Sequence, residues 1–265
     1  MQADKLIAQI AAYAPKELAW EKDPIGLQLG DAKQEIHRIM TTLDVRPEVV
    51  QEAIDADVDF IFAHHPMIFK PAKNLDLSVP QNKMYADLIK HNIVVYAAHT
   101  NLDAAKGGMN DWLSEALKLQ NVTPLIPNAD GQTGLGRIGT LVQPQTVAEY
   151  TAFIRDLFQV KAVRVIAKDL KRPIQRIAVL GGDGGDEYPA ALAAGADAYV
   201  TADFYYHTAH DVLADDFVVI DPDHHMEAIA KDKMVSLIKK WQQENHWDID
   251  DVFSSTINTD PYTYI

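Results

Sequence analysis

The 265-residue chain contains no cysteine. That absence excludes disulfides, zinc–thiolate sites, cysteine-ligated iron–sulfur clusters and cysteine nucleophiles. Any transition-metal site must be built mainly from His, Asp and Glu. Positive charge is scarce too, with 24 Lys and Arg against 38 Asp and Glu, a net charge of −14. A general binder of phosphate backbones needs clustered cations, so nucleic acid is not an expected partner. No apolar run approaches the roughly 20 residues that span a bilayer, and no membrane association is expected. Met1-Gln2-Ala3-Asp4-Lys5-Leu6 lacks the basic stretch and apolar segment of a secretory signal. A cytoplasmic protein is the expectation. No short repeat and no low-complexity segment is evident.

What is present is alternation. Leu6, Ile7, Ile10 and Ala11 recur at helical spacing, and Pro15 closes that helix. Apolar runs at 36–45, 58–63 and 93–98 read as strands, and helical patterns cover 47–56, 81–90 and 110–119. Strand–helix alternation of this kind argues for a mostly parallel sheet. Between 121 and 136 the composition shifts to Pro, Asn, Asp and Gly, which marks a boundary. Beyond it, strands are expected at 135–142, 163–167, 176–180, 198–201 and 217–220. Helices are expected at 147–158 and 187–194, with a long final one over 224–243.

The chain is organised around Phe60-Ile61-Phe62-Ala63-His64-His65-Pro66. A buried strand ends in two imidazoles, and Pro66 biases His65 toward an extended conformation. Ligands of open α/β sheets bind beyond the carboxyl ends of the strands. Successive strand side chains face opposite ways, so His64 and His65 suit two neighbouring ions unless the chain bends. Asp103 follows another strand, and Asp221-Pro222-Asp223-His224-His225-Met226-Glu227 follows the last parallel one. His224 and Glu227, three residues apart, share a helical face, while His225 points elsewhere. Such nitrogen and oxygen donors suit a paired-metal hydrolytic site. Gly181-Gly182-Asp183-Gly184-Gly185 matches neither a P-loop nor a dinucleotide fingerprint, and reads as a glycine-rich tight turn. His207 and His210 read equally as a surface pair or as lining of the cleft.

Four segments together resemble the NIF-three-like family: His64-His65-Pro66, His99-Thr100-Asn101-Leu102-Asp103, Gly195-Ala196-Asp197-Ala198-Tyr199-Val200-Thr201, and Asp221 to Glu227. The likeness runs from Gly26-Leu27-Gln28-Leu29-Gly30 to Asp260-Pro261, in the short form without an inserted domain. It implies an α/β fold of two α/β subdomains with mixed, mostly parallel sheets flanked by helices. Residues 1–125 plus 216–265 would form the subdomain carrying the metal site, and 126–215 the second. It also implies a toroidal homohexamer with metal sites facing an internal cavity. The dinuclear site it implies falls here on His64, His65, Asp103, His224 and Glu227, with Asp103 or Glu227 bridging two divalent ions (zinc, iron, manganese or nickel). Three segments depart from the family pattern. Lys22-Asp23-Pro24 replaces Trp-Asp-Asn, Asp223 stands where glycine is common, and Thr201-Ala202-Asp203 replaces Thr-Gly-Asp/Glu.

Bacterial members of that family are labelled homologues of a type 2 GTP cyclohydrolase I. The expected function is therefore a dinuclear metal-dependent hydrolase that activates water. Under that label its substrate is a nucleotide, GTP, opened at C8 of guanine with release of formate. His99 is the candidate catalytic proton shuttle, since imidazole titrates near neutrality. The alternative is a non-catalytic metal-binding regulatory or interaction scaffold.

Overall fold

The computed structural model describes residues 1–265, which divide into two compact units. One comprises Met1–Leu102 and Ala228–Thr259, the other Asp103–Glu227 and Asp260–Ile265. The first stretch of chain forms α1 (Ala3–Tyr13), β1 (Gly26–Leu29), β2 (Arg38–Thr42), α2 (Pro47–Asp55), β3 (Phe60–Ala63), α3 (Pro80–Lys90) and β4 (Val94–Ala97). A short α4 (Thr100–Ala104) carries the chain across. The second unit holds α5 (Met109–Ala116), β5 (Gln120–Pro127), β6 (Gly134–Thr146), α6 (Val147–Phe158), β7 (Arg164–Ile166), β8 (Pro173–Asp183), α7 (Tyr188–Ala193), β9 (Ala198–Ala202), α8 (Tyr206–Ala214) and β10 (Val219–Asp221). A 3-10 turn at His224–Ala228 leads back to α9 (Ile229–Asn245) and β11 (Asp251–Ser254) of the first unit.

The sheet of the first unit has the order β1-β4-β3-β2-β11. All its pairings are parallel except that of β1 with β4. Every residue of β3 and β4 is buried, as expected of parallel strands covered on both faces. Met40, Ile61, Ala63 and Val95 share a cluster with Val49, Val50 and Ala53 of α2 and Met84, Tyr85 and Leu88 of α3. Helix α9 buries Ala230, Met234, Ile238 and Trp241 along one stripe, the mix of i, i+4 and i, i+3 spacings that keeps side chains on one face. Each large apolar side chain so buried contributes about 1.5–3 kcal/mol. The same helix is tied to the sheet through Thr41 Oγ1, which donates to Lys231 O at 2.9 Å.

The second sheet has the order β5-β6-β8-β9-β10-β7 and is mixed. β8, β9 and β10 are parallel, whereas β5–β6, β6–β8 and β10–β7 are antiparallel. Strand β5 occupies part of the stretch whose composition reads as a boundary. Its Pro124 and Pro127 need no ladder donor because β5 is an edge strand. Thr146 opens α6 with a capping box shared with Glu149. Buried Arg137 anchors this unit: Nε and Nη2 donate to the two oxygens of Asp111 at 2.6 and 2.9 Å, and Nη1 and Nη2 reach the carbonyls of Gly134, Gly136 and Ala105. No helix is long and apolar enough to cross a membrane.

Candidate metal centre

In the first unit three imidazoles converge at the carboxyl ends of adjacent parallel strands. β3 stops at Ala63 and the chain bends, so His64 and His65 do not point to opposite faces. Their ring centroids lie 5.1 Å apart, and His99, which follows β4, lies 5.3 and 5.5 Å from them. One ligand atom from each of the three falls within 4.8 Å of the others. Each ring also has its Nδ1 engaged. Nδ1 of His64 donates to Ala98 O at 2.9 Å, and Nδ1 of His65 meets Asp44 Oδ1 at 2.7 Å. Nδ1 of His99 lies 3.0 and 3.1 Å from the two oxygens of Asp23. A proton held on Nδ1 leaves the lone pair on Nε2, the arrangement found in metal-ligating histidines.

Asp23 does more than hold His99. It accepts from Thr100 N at 3.1 Å and from Thr100 Oγ1, and so caps the start of α4. Burial alone would raise its pKa, but the His99 and Thr100 hydrogen bonds outweigh it and hold the carboxyl below its usual value. Asp44 is committed on both oxygens, the second accepting from Thr259 Oγ1 at 2.6 Å.

The second unit gathers Asp103, His224 and Glu227. Ligand oxygens of Asp103 and Glu227 lie within 4.8 Å of each other, and both residues are buried. His224 and Glu227 sit on the 3-10 turn rather than on the final α-helix, but their three-residue separation still brings His224 Nε2 to 3.1 Å from Glu227 Oε2. Nδ1 of His224 meets Asp203 Oδ2 at 2.6 Å. Burial opposes the charge on that imidazole, yet the hydrogen bonds to Asp203 and Glu227 push His224 up to about 11. Asn110 links the neighbouring backbone, donating to Asp103 O and accepting from Gly181 N, both at 3.0 Å.

The glycine-rich segment has its explanation here. A Cβ at Gly181 or Gly182 would come within 2.9 Å of Glu227 Oε1, and Gly182 also has φ +69°. The two glycines clear space for the Glu227 carboxylate. Asp223 adopts φ +77°, the left-handed region where glycine is favoured. Its carboxylate offsets that strain by accepting from His224 N and from the Tyr264 hydroxyl, each at 2.7 Å. His207 and His210 are exposed beside Tyr206 and belong to neither group.

Nitrogen and oxygen donors of this kind fit zinc, iron, manganese or nickel, and the carboxylates and carbonyl behind the rings supply the expected outer shell. Reading the sequence alone misses Asp23, Asp44 and Asp203 as those outer partners. Asp44 carried a usable signal, since it lies two residues beyond the end of β2.

The family model described as Duf34/NIF3 (NGG1p interacting factor 3) matches residues 1–261. A "GTP cyclohydrolase 1 type 2 homolog" of Streptococcus pneumoniae serotype 4 is 41% identical over 268 residues, with 100% of both chains covered. The solved Bacillus cereus protein related to NIF3 superposes with a TM-score of 0.95 at 28% identity, covering 100% of this chain and 99% of that one. HcgD from Methanocaldococcus jannaschii, solved in its reduced form, gives 0.78 at 30% identity over 97% and 98% of the two chains. With a match across almost its whole length, this chain belongs to the Duf34/NIF3 (NGG1p interacting factor 3) family.

Proposed function

We propose that this protein is a divalent-metal-dependent hydrolase of the cytoplasm that holds two ions through His64, His65, Asp103, His224 and Glu227. The observation that carries this reading is the convergence of His64, His65 and His99 in one donor group and of Asp103, His224 and Glu227 in the other, with each imidazole held at Nδ1 by Ala98 O, Asp44, Asp23 or Asp203. Bound divalent ions supply the Lewis acidity that brings the pKa of a coordinated water toward neutrality. The chain's own residues position and protonate. Asp44 and Ala98 O fix the rings of His65 and His64, and Asp203 fixes that of His224. His99, oriented through Nδ1 by Asp23, holds or moves a proton at Nε2.

The name carried by the Streptococcus pneumoniae relative points to GTP as substrate, and the family resemblance suggests hydrolytic opening at C8 of guanine with release of formate. A toroidal homohexamer is the assembly the family resemblance suggests. Elemental analysis of the purified protein, followed by a formate assay with GTP, tests the reading. Two divalent ions per chain and formate release are expected. Metal without formate removes GTP as substrate, and no metal in wild type overturns the hydrolase.

A second reading, a metal-binding interaction scaffold without turnover, draws on the family description, which names an interacting factor. Unchanged cellular function in His65→Ala and Glu227→Ala variants that still assemble would favour it.

A further inference from the structure

A cavity of about 410 Å³ opens within the first unit beside His65. Its volume lies in the range of small-molecule sites. Arg46, Lys70 and Phe69 line it together with Met67 and Tyr85. In a chain of net charge −14, two cations line the same cavity. The carboxylate of Asp44, which also lines the cavity, is engaged by His65 and Thr259. Phe69 is 61% exposed, a large aromatic face left in water.

We infer that this cavity binds the phosphate end of a ring-bearing phosphorylated substrate, with Arg46 and Lys70 as the anion ligands and Phe69 stacking on the ring. It rests on the hydrolase reading in taking the ligand to be a substrate. A guanidinium and an ammonium suit phosphate as fork and point charge. Sequence spacing hides the pair, since one cation precedes α2 and the other follows the bend after β3.

Equilibrium dialysis of GTP, tripolyphosphate and guanosine against the full chain, metal-loaded and metal-stripped, tests the inference. Arg46→Ala/Lys70→Ala should weaken GTP and tripolyphosphate at least about tenfold, the loss expected for removing charge-assisted hydrogen bonds. Guanosine binding and metal content should stay unchanged. Phe69→Ala should weaken GTP and guanosine but not tripolyphosphate. A charge-matched control, Lys16→Ala/Lys239→Ala, should shift none of the three. Failure of wild type to bind GTP, equal affinity in the Arg46/Lys70 double variant, or an equal loss in the control would overturn it. The two readings separate cleanly. A metal-free wild type that still loses GTP affinity on substitution keeps the phosphate site and sinks the hydrolase. Bound metal with GTP affinity indifferent to Arg46 and Lys70 does the reverse.

Discussion

A β-carbon on Gly181 would stand 2.9 Å from Oε1 of Glu227, closer than real β-carbon contacts come. The absence of a side chain at one residue thus defines where the carboxylate of another can lie. Gly181→Ala should push Glu227 aside and lower metal affinity about tenfold or more, the scale of outer-partner losses. Overpacking against Leu113 Cδ1 adds a stability cost of about 1–3 kcal/mol. Chelator competition reads the first effect and a denaturant midpoint the second. Unchanged metal affinity would mean that Glu227 does not ligate.

Asp23 orients His99 and caps α4, so its removal should act on both. Asp23→Ala is expected to cost about 1 kcal/mol of stability as a lost cap. Turnover should fall about tenfold or more while metal content holds. A pH–rate profile checks the assignment, because a mere cap would leave its shape intact.

Arg137 and Asp111 are not symmetric partners. The arginine side chain is 2% exposed and the aspartate 29%. Asp111→Ala strands a buried guanidinium and should destabilise by about 3–5 kcal/mol. Arg137→Met leaves a carboxylate that water can reach, and should cost less. Guanidinium chloride midpoints of the two variants decide the order.

Glu52 ties α2 to the end of β11 by accepting from Ser255 Oγ and from Thr256 Oγ1 and N. Burial would raise its pKa, but those hydrogen bonds prevail and hold it below its ordinary value of 4.5. The unfolded chain therefore takes up the proton at a higher pH than the native one. The stabilisation is complete above the unfolded value and fades as pH falls through the lower folded one. Glu52→Gln should flatten that acid limb, seen as a smaller difference between urea midpoints at pH 6 and pH 3 in chelator.

Much of this was legible in the chain. The apolar runs before His64 and His99 fix where the strands stop, and strand ends are where an α/β sheet presents its donors. The Asp223 departure was visible too, but its consequence was not, because a backbone angle of φ +77° leaves no mark on composition. The stretch read as a boundary also holds β5, because an edge strand tolerates Pro124 and Pro127. Asp23 lies 76 residues from His99, and only the antiparallel return of β1 onto β4 brings that loop near. No periodicity encodes such a meeting.

The three rings of the first unit differ in what holds them. Asp44 and Asp23 are side chains, so codon changes at those sites can retune His65 and His99. His64 instead leans on the Ala98 carbonyl, a main-chain group that every amino acid carries. Its tautomer is thereby shielded from substitution at the contact point and is inherited with the backbone path itself.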